Sequence, residues 1–238
     1  MSSGSSYGAT VFALYKTLAI SVPTFADAML GRLTIERGDE RLRDWSNSIV
    51  RHADVDLTVE GLANVPRDRA CIYMSNHQSH LDIPILFSVF PGTLRMVAKA
   101  ELFKVPIWGR AMKEAGFVRV TRSGNRVEAM AAMRECAEAL GRGINVWLAP
   151  EGTRSLDGKL GKFKKGGFML ARDTGADIIP IAIDGSRDIL PKNTKIIQRG
   201  ARVKVSFGKP IPVAGKDSNT LSAEVLRFMA ANVTEPSA

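Results

Sequence analysis

Hydrophobic positions follow two periods along this chain, and the change of period divides it. From Val11 to Leu33 the apolar residues Leu14, Leu18, Val22, Phe25, Met29 and Leu33 recur at helical intervals, the spacing of one face of an α-helix. Thr10, Thr17, Ser21 and Thr24 fall on the other face. A bilayer-spanning helix wants about 20 mostly apolar residues with few charges. Pro23 and the charges Lys16, Asp27 and Arg32 therefore favour a helix lying in the membrane interface, with a helix packed on the main domain as the alternative. Asp39 caps a second predicted helix. Its stripe is Leu42, Trp45, Ile49 and Val50, and its outer face carries Arg41, Arg43 and Arg51, placed to meet anionic headgroups.

From Asp56 the period shortens to two. Strands are predicted over residues 54–60, 70–75, 93–98, 117–121, 144–149, 178–183 and 201–207. Helical patterns fall between them near 83–90, 104–114, 125–141 and 166–174, and a last helix covers 218–232. The pattern over 125–141 is the clearest, with Val127, Met130, Ala137 and Leu140 on one face and Gly141 and Gly143 ending it. Interleaved strands and helices predict an α/β fold whose mixed, largely parallel sheet is flanked by helices. The expected organisation is a two-helix, membrane-associating element over 1–53 and an α/β catalytic domain over 54–238. Pro180, inside an apolar strand pattern, predicts an edge strand, a strand start or a bulge. Gly4-Ser5-Ser6-Tyr7-Gly8 fits the G-x-S-x-G pattern of serine hydrolases, but that motif needs a preceding strand, and none is predicted before it.

Composition changes this picture in one respect. The formal charge of +9 over 238 residues and the pI near 9.8 point to an anionic partner: nucleic acid, lipid headgroups or a phosphorylated substrate. With 7% aromatic residues and basic groups gathered at strand exits, stacking on nucleic acid is disfavoured. Cys71 and Cys136 lie in a predicted strand and a predicted helix. They read as buried apolar residues in a reducing, cytosolic setting. No charged n-region precedes an apolar h-region, so no secretory signal is expected.

The candidate chemistry lies where predicted strands end. Between Met74 and Pro84 the chain carries Asn76, His77, His80 and Asp82. His77 and Asp82 are five residues apart, off a common helical face, so they meet only if the chain turns between them. Asp82 would then hold the Nδ1–H of His77 and leave Nε2 as a base. Asp82 is also placed to cap the helix opened by Pro84. A metal site of His77, His80 and Asp82 lacks ligands from a second segment, because the remaining histidine, His52, belongs to the N-terminal helices. Glu151-Gly152-Thr153-Arg154 follows the strand 144–149. Gly152 permits a tight turn, and Arg154 offers a planar fork suited to phosphate. The next loop is basic, with Lys159, Lys162, Lys164 and Lys165. Arg122 falls at the exit of the strand from 117.

These motifs form a recognisable set. Asn76-His77-Gln78-Ser79-His80-Leu81-Asp82 resembles the N-H-x-x-x-x-D box of the glycerolipid acyltransferases, and Glu151-Gly152-Thr153-Arg154-Ser155 resembles their E-G-T-R-S box. Gly116–Arg122 resembles the intervening G-x-x-F-x-x-R box, although Arg119 stands where that family usually has phenylalanine. Pro180 matches a fourth, proline-containing box. Ala98-Lys99-Ala100-Glu101-Leu102 resembles the family's K-x-E-L stretch. The resemblance covers about residues 55–213, and the whole chain is similar to bacterial 1-acyl-glycerol-3-phosphate acyltransferases.

It implies an enzyme on an anionic phospholipid membrane, at the cytoplasmic face of the inner membrane. Such an enzyme moves an acyl group from acyl-CoA or acyl carrier protein to the sn-2 hydroxyl of lysophosphatidate, with no nucleic acid, metal or cofactor involved. His77 would be the base and Asp82 its orienting partner. Lys99, Arg122 and Arg154 would bind the acceptor phosphate. Asn76, Glu151, Gly152 and Thr153 would complete the pocket around the oxyanion. Another lysolipid as acceptor, or hydrolysis of the thioester, are the alternatives.

Overall fold

A computed structural model describes residues 5–120 and 126–234. In chain order its strands are β1 (Ser5–Ser6), β2 (Asp56–Glu60), β3 (Ile72–Ser75), β4 (Leu94–Lys99), β5 (Val118–Val120), β6 (Asn145–Leu148), β7 (Ile178–Asp184), β8 (Ile197–Gln198) and β9 (Arg202–Phe207). The α-helices are α1 (Tyr7–Met29), α2 (Ile35–His52), α3 (Asp82–Val89), α4 (Trp108–Glu114), α5 (Arg126–Gly141), α6 (Gly166–Thr174), α7 (Ser186–Ile189) and α8 (Ser218–Asn232). The single helical pattern read over 104–114 divides into a 3-10 turn, Ala100–Lys104, and α4. Pro106 lies between them.

Seven strands form one sheet in the order β2-β9-β7-β3-β6-β4-β5. All neighbours run parallel except β7 and β9. Strand alternation sorts the core into two layers. Tyr73, Trp147, Ile179, Ile181 and Ile183 face the layer built with α2 and α3, while Ile72, Met74, Val146 and Ile178 face α5, α6 and α8. Phe117 and Val118 likewise point to opposite faces, as their alternation predicts. Both sheet faces are thereby closed, which a largely parallel sheet requires.

Pro180 is found in the last of its three expected settings: between the Ile181–Phe207 pair and the Ile178–Ile211 bridge, two residues of β7 face three of the opposing segment, a bulge. It lies in β7, an interior strand bonded to β3 on one side and β9 on the other. The ladder to β9 spans Ile181 to Asp184 and ends at Phe207. The Pro180 carbonyl accepts the Gly208 N–H at 2.8 Å, so its nitrogen faces the same side, beyond the end of β9. An interior strand tolerates the missing donor there, because no ladder partner requires it.

The two N-terminal helices are held together by polar contacts. Asp27 binds Arg41 at 2.5 Å and Arg37 at 3.3 Å, and Trp45 Nε1 donates to Thr17 at 3.1 Å. Arg41, expected on the outer face, is thus turned toward α1. Thr34, not Asp39, caps α2, with its hydroxyl accepting the Arg37 N–H. Asp39 instead lies within the helix and receives Thr93 Oγ1 at 2.6 Å and the buried Arg95 at 2.5 Å. A pair of this kind offsets its desolvation only through such close hydrogen bonds. It ties α2 to β4.

The face that α1 presents is inverted relative to an ordinary surface helix. Ser21 and Thr24 are buried, whereas Val11 and Leu18 are 65% and 64% exposed, with Leu14, Val22 and Met29 exposed beside them. By length and composition α1 could cross a membrane.

Candidate active site

The parallel order β3-β6-β4-β5 places the C-terminal ends of four strands on one edge, where open α/β folds gather their functional loops. His77 follows β3, Glu151–Arg154 follow β6 and Lys99 ends β4. Arg122, expected after β5, lies outside the described residues.

The chain turns between His77 and Asp82. His77 Nδ1 lies 2.6 Å from Asp82 Oδ2. The same oxygen accepts the backbone N–H groups of Gln78 at 2.8 Å and Ser79 at 3.0 Å. Two amides already donating to Oδ2 make it an acceptor, so Nδ1 donates to it as well and Nε2 is the free base. Asp82 is fully buried, and His77 keeps 19% of its side chain exposed. Asp82 does not cap α3 in the expected sense. Leu81 occupies the N-cap position and makes no side-chain cap bond, while the Asp82 carboxylate turns back to the loop.

The neighbouring residues hold this loop from behind. Asn76, fully buried, clasps the backbone of Ile183: its Nδ2 donates to the carbonyl and its Oδ1 accepts the N–H, both at 2.8 Å. Asn76→Ala would strand both groups in the core. Urea denaturation is expected to show a stability loss of about 2 kcal/mol, and an unchanged midpoint would remove the clasp from the fold's accounting. Glu151 accepts the His77 N–H at 3.1 Å on one oxygen and the Gly161 N–H at 3.1 Å on the other. Burial pushes its carboxyl above the ordinary range, opposed by those two amides. The Ser155 N–H donates to the His77 carbonyl at 2.8 Å, and Gln78 Nε2 donates to the Gly158 carbonyl at 2.8 Å. The loops after β3 and β6 are therefore one hydrogen-bonded unit.

Gly152 sits at φ +69°, and a Cβ there would lie 3.0 Å from the Lys164 side chain. Only glycine adopts that conformation freely, and it lets Thr153 and Arg154 turn toward the His77 loop. The Arg154 charge is felt at His80. Loss of water around the ring, then Arg154, hold that imidazole down to about 4. His80 keeps exposed surface but lines an apolar cavity, and it is neutral at ordinary pH. Lys99 is half exposed and pairs with Glu101 at 3.2 Å. Among the described residues, no three His, Cys, Asp or Glu side chains are grouped to hold a metal ion.

The cavity, about 150 Å³, has His80 and Ile83 in its wall. It runs between α1 and α2 on one side and α3 and α4 on the other, past Trp45, Phe87, Met112 and Phe117. These residues come from distant parts of the chain, so no motif announces it. Lys192 was equally silent: its Nζ donates to the Arg154 carbonyl at 2.7 Å, a contact between segments 38 residues apart.

Comparison with known proteins agrees with this arrangement. The model of the Acyltransferase family matches residues 56–184. Over 156 residues the chain is 40% identical to 1-acyl-sn-glycerol-3-phosphate acyltransferase LPAT1, chloroplastic, of Arabidopsis thaliana, covering 65% of this chain and 43% of that one. It is 32% identical over 162 residues to 1-acyl-sn-glycerol-3-phosphate acyltransferase alpha of Homo sapiens, covering 68% and 56%. The chain spans about half the length of the curated relatives it matches. The crystal structure of the 1-acyl-sn-glycerophosphate (LPA) acyltransferase PlsC from Thermotoga maritima superposes with a TM-score of 0.79 at 27% identity. That match covers 94% of this chain and 92% of that one. With the family model matched over more than half of its length, the chain belongs to the Acyltransferase family.

Proposed function

We propose that the protein acylates lysophosphatidate at its sn-2 hydroxyl, using a soluble thioester donor at a membrane surface. The observation that carries this reading is the hydrogen-bonded pair of buried Asp82 and partly exposed His77, in the same turn as His80, which lines an apolar cavity and feels the Arg154 charge. His77 Nε2 takes the proton of the acceptor hydroxyl as its oxygen attacks the thioester carbonyl. The carbon–sulfur bond then breaks, and the imidazolium returns the proton to the leaving thiolate. Asp82 orients the ring and balances its transient positive charge. The acyl chain occupies the apolar cavity, and no acyl-enzyme, metal or cofactor is needed.

Arg154, Lys99 and Arg122 are the candidate phosphate ligands, since guanidinium and ammonium groups bind it by charge-assisted hydrogen bonds. Arg154→Ala is expected to raise the acceptor KM by about tenfold with a much smaller change in kcat. A variant with unchanged kinetics would take Arg154 out of that site. The inverted face of α1 supports the membrane location. Its buried side is the hydroxyl-bearing one, so the exposed apolar stripe is left for lipid. The lysine-rich loop at 159–165 and the overall charge favour anionic headgroups and an anionic donor, acyl-CoA or acyl carrier protein. The cytoplasmic face of the inner membrane is where such donors are found.

The test is a panel of lysolipids incubated with labelled acyl-CoA. Labelled phosphatidate formed only with lysophosphatidate supports the assignment. Free fatty acid released without dependence on any lysolipid would replace it with thioester hydrolysis. Equal use of lysolipids with other headgroups would replace the acceptor.

A further inference from the structure

The segment that follows β7 crosses the active-site edge and grips both of its loops. Ser79 Oγ donates to the Leu190 carbonyl at 2.9 Å, which ties this segment to the His77 loop. Arg187 Nη2 donates to the Leu156 carbonyl at 3.2 Å. Lys192 Nζ donates to the Arg154 carbonyl at 2.7 Å and lies 3.5 Å from Thr153 Oγ1. Both cations are half-buried; Lys192 closes on the carbonyl of Arg154 itself and Arg187 on that of Leu156, just beyond the turn that carries Arg154.

That turn needs such support. It has no regular secondary structure between Gly152 and Ser155. It is anchored at its ends by Ser155 N–H to His77 and by Lys164 N–H to the Pro150 carbonyl at 2.8 Å. Thr153 and Arg154 lie between these anchors, and Lys192 reaches them there. An ammonium–carbonyl bond is charge-assisted and stronger than a neutral one. It is also short enough here to fix where the Arg154 backbone sits, and with it the starting point of the guanidinium.

We propose that Lys192 is a positioning residue, whose ammonium holds the Arg154 backbone so that the guanidinium meets the acceptor phosphate beside His77. This rests on the reading of Arg154 as a phosphate ligand. Lys192 acts through Arg154 and does not touch substrate, so its effect belongs to acceptor binding and vanishes when Arg154 is gone.

Steady-state kinetics with lysophosphatidate varied test this in four enzymes: Lys192→Ala, Lys192→Arg, Arg154→Ala and the double variant Lys192→Ala/Arg154→Ala. The expected result for Lys192→Ala is an acceptor KM raised by about tenfold, with kcat and donor KM little changed. Lys192→Arg, which can still donate to the carbonyl, recovers most of that loss. The double variant is no worse than Arg154→Ala alone. Should Lys192→Ala fail to fold by thermal melting, Lys192→Met keeps the aliphatic stem and carries the same comparison. Unchanged kinetics, or a loss confined to kcat, overturns the proposal. Losses that add in the double variant overturn it as well, because Lys192 would then act independently of Arg154. If Arg154→Ala itself leaves the acceptor KM unmoved, the phosphate reading falls; if only Lys192→Ala is silent, that reading stands and the positioning role alone is lost.

Discussion

Replacing His77 by alanine is expected to lower acyl transfer by about a thousandfold, the order contributed by a positioned general base, while the fold stays intact. The structure separates the two effects. What His77 contributes to the architecture comes from its backbone: the N–H bonded to Glu151 and the carbonyl bonded to Ser155. Alanine retains both. Among the described residues the imidazole hydrogen-bonds Asp82 alone, and it is partly open to solvent. Measured with labelled acyl donor and lysophosphatidate, His77→Ala should be inactive beside a melting temperature close to that of the parent. Activity above a tenth of the parent's would remove His77 as the base. An inactive variant that is also unfolded would show that the imidazole braces the loop more than its contacts indicate. His80→Ala is the matched control. Burial and the Arg154 charge make its ring a weak proton acceptor, and it lines the cavity, so the loss expected there is in packing against the proposed acyl chain rather than in proton transfer.

How much of this was legible before the fold was known depended on whether the signal was local. The His77–Asp82 pairing could be read because both residues lie in one turn, and their five-residue spacing excludes a shared helical face. The strands were legible through alternation, and α8 was read at its observed limits, Ser218–Asn232. The errors have one cause in common. Asp39 had the composition of a helix cap and Arg41 that of a solvated face. Each was decided by a partner distant in sequence: Arg95 for Asp39 and Asp27 for Arg41. The motif boxes carried a similar ambiguity. Their residue types pointed to a pocket, yet Asn76 and Glu151 direct their side chains to the backbone of Ile183, His77 and Gly161. The boxes thus mix groups that face the substrate edge with groups that hold the loops in place. Residue type does not distinguish the two, and hydrogen-bond geometry does.

Asp82 offers the second large effect, and here two substitutions are expected to differ in kind. In Asp82→Asn the amide oxygen must take the place of Oδ2, because the N–H groups of Gln78 and Ser79 point at that position and an NH₂ group there would face two donors. His77 Nδ1 can still donate to the same oxygen, so the tautomer and the loop geometry survive and only the negative charge is lost. What disappears is the stabilisation of the imidazolium that forms as the acceptor hydroxyl gives up its proton. In a buried site that electrostatic contribution is on the order of a hundredfold in kcat, with acceptor KM and melting temperature near the parent's. Asp82→Ala removes the acceptor for three N–H groups at once. Activity is expected to fall to the level of His77→Ala, and the two stranded amides cost about 1–3 kcal/mol each. Kinetics and urea denaturation on the two variants side by side supply the check. Near-parental kcat in Asp82→Asn would show that the charge does not act in the chemical step. Parental stability in Asp82→Ala would show that the Gln78 and Ser79 amides find other partners, and that the turn joining the base to its carboxylate does not depend on the carboxylate.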